Sequence, residues 1–192
     1  MTAGPAVPGV ALEDDRPEGF RRVEALLTER GHPQRPRWLA VSARTCAEAA
    51  AALGVQTGQI AKSVIFRRRS DGVAVLVVAS GDRRVDELKV AALIGPIGRA
   101  DAAFVKQKTG FSIGGVAPVA HAEPSVVLVD RELFRFDQIW AAAGHPNGVF
   151  SLSPDELLAL TDAPAADVAV DERVDERVHE RVDEVRSKVE QA

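Results

Sequence analysis

Short apolar runs that alternate with turn signals set the strongest limit on how this chain can fold. Each run is five to eight residues long, which is typical of strands rather than of long buried helices. Glycine, proline and Asx residues separate the runs and predict tight connections, including two hairpins. Five runs are predicted to be strands: Ile60–Arg67, Val73–Ala79, Ser125–Asp130, Ile139–Ala143 and Gly148–Leu152.

Helices are predicted between these strands. Thr45 to Glu48 and Ser153 to Glu156 both have the S/T-x-x-E form of a capping box, which predicts a helix start. Interleaved short helices and strands predict an α+β domain with a mixed sheet. The predicted helical segments are 17–31, 45–54, 85–93, 101–110 and 153–160.

The ends of the chain differ from its middle. Residues 1–17 are rich in Gly, Pro, Ala and acid and predict a disordered tail, and the domain is expected to span 18–162. Residues 163–192 are interpreted as an Ala/Pro linker and a charged tail. That tail repeats Val-Asp-Glu-Arg-like units every four residues, and either a solvated helix or a small oligomerisation element fits it. The oligomeric state stays open.

Charge is divided unevenly along the chain. The net charge is −4, but residues 1–18 carry −3 and residues 164–192 carry five bases and nine acids, or −4. The remaining 18 bases and 15 acids give the body +3. A mildly basic body permits contact with nucleic acid without requiring it.

Location and redox chemistry follow from what the sequence does not contain. The longest apolar run, near Val73–Ala79, is far shorter than the roughly 20 residues that span a bilayer, so no membrane span is predicted. No basic segment followed by an apolar one opens the chain, which favours a cytoplasmic protein. Cys46 is the only cysteine, which excludes an internal disulfide and disfavours a cysteine-based zinc site.

Common catalytic signatures are missing, since no G-x-S-x-G, H-E-x-x-H, P-loop or G-x-G-x-x-G is present. No metal and no cofactor are therefore predicted. Cys46 lies in the first turn of a predicted helix, where a dipole can lower a thiol pKa, but its alanine-rich surroundings favour a packed core residue. The histidines lack metal-ligand spacing and are interpreted as surface or turn residues: His32, His121, His145 and His179.

Two features are unusual. Lys62 lies inside the apolar run 60–66, either as a solvated residue at a strand edge or as a functional cation. The segment Thr109–Pro118 holds adjacent glycines, Gly114 and Gly115, between apolar residues. Such a loop is either an ordinary turn or a backbone that a ligand can approach closely.

These segments carry a family resemblance. Five of them, in this order and spacing, resemble the YbaK/ProX aminoacyl-tRNA deacylase family, whose members include the editing domain of bacterial prolyl-tRNA synthetases. The resemblance covers about Phe20 to Thr161 and implies a curled mixed β-sheet surrounded by short helices. The segments are Ile60–Phe66 with its lysine, Ser80–Asp86, the GxxxP loop Thr109–Pro118, Val127–Asp130 and Ile139–Leu157.

The resemblance implies a reaction. Family members hydrolyse the ester between a wrong amino acid and the tRNA 3′-adenosine without a metal or a protein nucleophile. By carry-over, Gly114 and Gly115 present backbone N–H groups to the substrate carbonyl, and Lys62 holds the terminal adenosine or its phosphate. Pro118 fixes the loop. The resemblance places four residues at the substrate: Val116, Pro118, Ala142 and Gly144.

The resemblance also implies partners and a substrate class. The partners are the 3′ aminoacyl end of tRNA and prolyl-tRNA synthetase. Ala142 and Val149 align with a serine and an aspartate of cysteine-specific relatives, which favours another small amino acid such as alanine. We therefore expect a trans-editing deacylase that acts on tRNA(Pro) carrying a small wrong amino acid, alanine or cysteine. The alternative is a non-catalytic module that binds an aminoacyl or nucleotide ligand in the same pocket.

Overall fold

A computed structural model describes residues 16–171. Within that range the helices are α1 (Glu18–Glu29), α2 (Cys46–Leu53), α3 (Glu87–Ile94), α4 (Ala102–Thr109) and α5 (Pro154–Thr161). The strands are β1 (Arg37–Trp38), β2 (Ile60–Arg68), β3 (Ala74–Ser80), β4 (Ile97–Arg99), β5 (Val126–Asp130), β6 (Ile139–Ala142), β7 (Gly148–Leu152) and β8 (Ala165–Ala166). Short 3-10 helices occupy Thr57–Gln59 and Arg131–Arg135.

The strands form one mixed sheet. Its order is β1-β7-β6-β2-β3-β5-β8, and β4 pairs with β2 outside that path. The pairs β2–β6, β3–β5 and β5–β8 are parallel, and the remaining pairs are antiparallel. The predicted α+β class with a mixed sheet and short helices is confirmed.

The sheet is covered on both faces, which explains why β3 is apolar throughout and fully buried. Because side chains alternate along a strand, Leu76 and Val78 enter a core with residues of α1 and α5. Val75 and Val77 enter a second core on the opposite face, beside Val90 of α3. A third, smaller cluster lies under α2. The helices thereby hold the sheet in place from both sides.

Local sequence signals fix the helix starts. Thr45 accepts from the Glu48 N–H while the Glu48 carboxylate accepts from the Thr45 N–H, and Ser153 and Glu156 repeat this arrangement at α5. Each capping box satisfies donors that the first turn of a helix leaves free. Both predicted capping boxes are confirmed. No helix among residues 16–171 is long and apolar enough to cross a membrane.

The end of the domain differs from the prediction. The segment 163–169 was expected to be a linker after a domain ending at 162, but Ala165–Ala166 pair with β5 and Val168 is fully buried. Lys89 of α3 donates to the Ala169 carbonyl at 2.8 Å. Alanine and proline composition predicted a linker because a two-residue strand has no periodicity to detect. The tail repeat lies outside the described residues, except for its first two residues, as does the N-terminal tail up to residue 15.

The corrected boundary changes what truncation should do. Deleting 172–192 is expected to leave the urea midpoint unchanged, whereas deleting 164–192 should lower the free energy of unfolding by at least about 2 kcal/mol, since burying one valine alone contributes about 1.5–3 kcal/mol. Urea denaturation followed by circular dichroism measures both. Equal stability of the two truncated proteins would contradict the packing of β8.

Candidate active site

A cleft of about 290 Å³ opens where β6 leaves the edge of β2. β6 pairs with β2 only at Ile60 and Ala61, and β4 pairs with it from Phe66 onward. β3 pairs with the other edge of β2. Among the described residues, the edge of β2 that faces away from β3 therefore has no strand partner at 62–65. Backbone groups of an unpaired edge are free to bond to a ligand. The break in the sheet thus supplies both the space and the polar backbone of a binding site.

Three loops build the walls around this gap. The Ala43 N–H donates to the Pro146 carbonyl at 3.0 Å, and the Leu39 N–H donates to the Asn147 carbonyl at 2.7 Å. These bonds attach the segment before α2 to the β6–β7 turn. The Gly-Gly loop closes the third side. It lies next to the segment before α2, since a Cβ added to Gly114 would lie 3.9 Å from Arg44.

The two glycines have different positions. Gly114 lines the cleft with φ +90°, in the left-handed region that favours glycine. Its N–H has no partner among residues 16–171, whereas the Gly115 N–H donates to the Ser112 carbonyl at 3.0 Å. Gly115 is buried behind the cleft, against the β6–β7 turn. The expectation that both N–H groups face a substrate is therefore corrected: Gly114 is available and Gly115 supports the loop.

Lys62 lies on the wall formed by the open part of β2. Its side chain is partly buried, and its ammonium donates to the backbone carbonyl of Arg83. An ammonium has three N–H donors, so this bond orients the group and leaves others for a ligand. The solvated-edge interpretation of Lys62 is thus disfavoured by its contacts.

Cys46 is half-buried and packs against the cluster under α2, as expected, and it also lines the cleft. Burial raises the pKa of its thiol above the ordinary value, although Lys62 nearby acts in the opposite direction. Desolvation disfavours the thiolate, which is the reactive form of cysteine. The raised pKa therefore favours the protonated form of this thiol at neutral pH.

His145 lines the cleft as well, and the sequence interpretation as a plain turn residue missed it. Its Nδ1 accepts from the Asn147 N–H at 3.1 Å, which places the proton of the neutral ring on Nε2. The ring stacks on Trp38 with centroids 4.8 Å apart, and burial lowers its pKa. His145 therefore presents a neutral, oriented ring at the cleft.

Two cleft residues hold buried polar atoms that are unsatisfied. Ser63 Oγ and Trp140 Nε1 have no hydrogen-bond partner among residues 16–171. Buried polar atoms are rarely left without a partner, and exceptions concentrate where water or a ligand binds. Neither residue was singled out from the sequence, because both look like ordinary members of apolar strands.

The charge of the cleft is one-sided. Of the described residues that line it, Arg44 and Lys62 are cationic and none is acidic. Such a cleft attracts anionic groups such as phosphate. Among residues 16–171, no group of three or more His, Cys, Asp or Glu side chains is arranged to hold a metal ion.

The structure brings together four of the predicted site residues and separates three. Lys62, Gly114, Val116 and Ala142 line the cleft. Gly115, Pro118 and Gly144 do not. Pro118 lines a depression elsewhere on the domain. Gly144 packs against the backbone of Gly19 at the start of α1. Pro118 and Gly144 therefore lie away from the cleft wall, and their expected contact with the substrate stays a prediction.

A mixed sheet with short helices, open at a cationic cleft beside a Gly-Gly loop, places this chain among α+β domains. Residues 40–160 match the family described as the aminoacyl-tRNA editing domain. The chain belongs to this family, which confirms the resemblance seen in its sequence segments.

Individual relatives agree with this assignment. The chain is 38% identical over 117 residues to the "Uncharacterized protein YwhH" of Bacillus subtilis (strain 168), covering 60% of this chain and 74% of the relative. It is 30% identical over 94 residues to a proline–tRNA ligase of Thermoanaerobacter sp. (strain X514), covering 47% of this chain but 16% of the ligase. A crystal structure described as a candidate trans-editing enzyme for prolyl-tRNA synthetase is 40% identical, with a TM-score of 0.76, covering 82% of this chain and 100% of that one.

Proposed function

We propose that this protein hydrolyses the ester bond between a wrong amino acid and the 3′-adenosine of tRNA, in the cleft between β2 and β6. The observation that carries the proposal is that one cleft holds both Lys62 and the Gly114 N–H, which has no partner among residues 16–171. One group suits the anionic tRNA end and the other suits a developing oxyanion.

The Gly114 N–H would donate to the ester oxygen as it gains negative charge. A donor held in this way contributes about 2.7–4 kcal/mol to the stability of the transition state. The Val116 N–H, which also has no backbone partner among the described residues, lies two residues further along the same wall and is the natural second donor. Water is the nucleophile, and Cys46 stays protonated.

Lys62 would hold the terminal adenosine or its phosphate by a charge-assisted hydrogen bond. Arg44 adds a second cation at the cleft. Together they bring the aminoacyl ester against the Gly-Gly loop, and positioning of this kind lowers the barrier without a protein nucleophile.

The cleft favours a small amino acid. By the resemblance, Ala142 and Val149 stand where cysteine-specific relatives have a polar pair, and both line the cleft as apolar residues. Alanine on tRNA(Pro) is the proposed substrate, hydrolysed in trans to prolyl-tRNA synthetase in the cytoplasm.

A deacylation assay with the full chain tests the proposal. Ala-tRNA(Pro) is expected to be hydrolysed and Pro-tRNA(Pro) to be spared, with Cys-tRNA(Pro) and Ala-tRNA(Ala) included to define specificity. EDTA is expected to leave the rate unchanged. Tight binding of these tRNAs without hydrolysis would identify the protein as a non-catalytic module instead.

Replacement of Cys46 tests the chemistry. Cys46→Ala is expected to keep a near-normal rate, because the pKa of the thiol is raised and the nucleophile is water. In the wild type, alkylation by iodoacetamide should remain slow at neutral pH and should accelerate only above the ordinary range of cysteine titration. A folded Cys46→Ala protein without activity would show that the reaction is thiol-based.

A further inference from the structure

The segment Ser80–Asp86 belongs to the family pattern, yet none of its residues lines the cleft. The segment adjoins the site through the pairing of Ser80 with Ala61, and it touches the charged group of the site through the hydrogen bond from the Lys62 ammonium to the Arg83 carbonyl. The position of that carbonyl therefore determines where the Lys62 charge lies. The groups that hold residue 83 in place therefore also bear on the reaction.

A polar network holds it from both sides, and we name this set the 80–135 network: Ser80, Asp82, Arg83, Asp130, Glu132 and Arg135. Arg83 Nε donates to Glu132 Oε2 at 2.7 Å. Arg135 donates to Asp82 Oδ1 at 2.8 Å and to Ser80 Oγ at 3.0 Å. It also lies 3.3 Å from the same Glu132 oxygen. The guanidinium of Arg135 thus links Glu132, which is the partner of Arg83, to Asp82, which precedes Arg83 in the chain.

The base of this network is rigid. Asp130, fully buried at the end of β5, accepts from the Ser80 N–H at 3.3 Å and from the Glu132 N–H at 3.1 Å. Burial alone would raise the pKa of Asp82, but the hydrogen bonds from Arg135 and Ser80 outweigh it and hold that pKa below its ordinary value. Both ends of the network are therefore attached to strands of the core.

Stability alone is a weak explanation for the outer part of the network. The side chains of Glu132 and Arg135 are 36% and 35% exposed. Ion pairs with this exposure contribute about 0–1 kcal/mol to folding, because solvent screens them. These ion pairs instead fix a position, since they restrain the backbone at Arg83 from both sides. The Arg83 carbonyl is thereby kept beside the Lys62 ammonium that it orients.

We propose that Glu132 and Arg135 are positioning residues, which act through the Arg83 carbonyl to hold the Lys62 ammonium at the cleft. This inference rests on the proposed function, because it assigns the 80–135 network to the placement of the group that binds the tRNA end. Neither residue lines the cleft.

A double-mutant cycle on the full chain tests the proposal. Glu132→Gln and Arg135→Gln are each expected to lower kcat/KM for Ala-tRNA(Pro) by about tenfold, which corresponds to a loss of about 1.4 kcal/mol. In the Lys62→Ala background the same changes should have almost no further effect, because residues that act through one group are not additive. Additive losses would overturn the proposal and indicate a purely structural role.

The Arg68–Asp71 pair supplies the matched control. It is a two-bond ion pair of similar exposure at the other end of β2, with its shorter contact at 2.7 Å. Asp71→Asn is expected to leave kcat/KM unchanged. A loss equal to that of Glu132→Gln would mean that removing any half-exposed ion pair lowers the rate, and would overturn the specific role of the network.

A second measurement does not depend on the reaction. Acetylation of individual lysines by a limiting reagent, read by mass spectrometry, is expected to be faster at Lys62 in Glu132→Gln than in the wild type, with the other lysines unchanged. If the wild type hydrolyses none of the mischarged tRNAs, the proposed function fails while this measurement still decides the positioning role. Unchanged labelling of Lys62 would overturn it.

Discussion

Lys62→Ala is expected to reduce single-turnover deacylation of Ala-tRNA(Pro) at least tenfold. The lost group is a charge-assisted donor, and a hydrogen bond to a charged group contributes about 1.5–3 kcal/mol. Each 1.36 kcal/mol is a factor of ten in rate. Because the Arg83 carbonyl orients the ammonium, a cation at any other position of the cleft should not restore the rate.

Lys106 provides the control for this substitution. Its ammonium donates to the Gly110 carbonyl at 2.9 Å, which is the same kind of bond on the exposed surface of α4. Lys106→Ala removes an equal charge and is expected to leave the rate unchanged. Equal rates for wild-type and folded Lys62→Ala proteins would remove Lys62 from the mechanism.

Gly115→Ala is expected to have the larger effect. An added Cβ would lie 2.7 Å from the Cα and carbonyl carbon of His145 and 2.9 Å from the Pro146 Cδ. These are backbone or ring atoms that cannot rotate away, so the loop must shift and carry Gly114 with it. Misplacement of a catalytic group by about 1 Å costs about a hundredfold in rate. Single-turnover deacylation measures this loss, and circular dichroism separates it from unfolding.

Gly98→Ala in β4 tests whether any new methyl group has this effect. There the added Cβ would lie 3.5 Å from the flexible side chain of Arg69, which is an ordinary contact. We expect wild-type activity from this protein. Wild-type activity from Gly115→Ala as well would show that the loop does not need its contact with the β6–β7 turn.

Features encoded within a few residues could be predicted from the sequence. The capping boxes at Thr45 and Ser153 and the β2–β3 hairpin depend on neighbours in the chain, and the structure confirms them. Lys62 and Gly114 could be singled out because a lysine in an apolar strand and adjacent glycines in a loop are locally unusual; both line the cleft, and their roles stay predictions. The mischarged substrate stays a prediction.

Features that depend on distant segments could not be predicted. His145 becomes part of the site only when its turn folds against Trp38, which lies over a hundred residues earlier in the chain. Gly115 has a supporting position for the same reason, since its neighbour is that turn rather than the cleft. β8 was interpreted as a linker because two alanines gain their structure only by pairing with β5.

The parallel pairing of β2 with β6 has a consequence for the order in which the site forms. Ile60 lies beside Trp140 across 79 intervening residues of the chain, and β1 pairs with β7 over a still longer separation. Contacts between distant segments form late, because the loop between them must first be closed. During synthesis, the β2–β3 hairpin can form while the chain is still short, whereas the cleft has no second wall until β7 has emerged from the ribosome. A nascent or prematurely terminated chain therefore carries the lysine and the glycine loop without a complete cleft, so a ligand that needs both walls can bind only once β7 is in place.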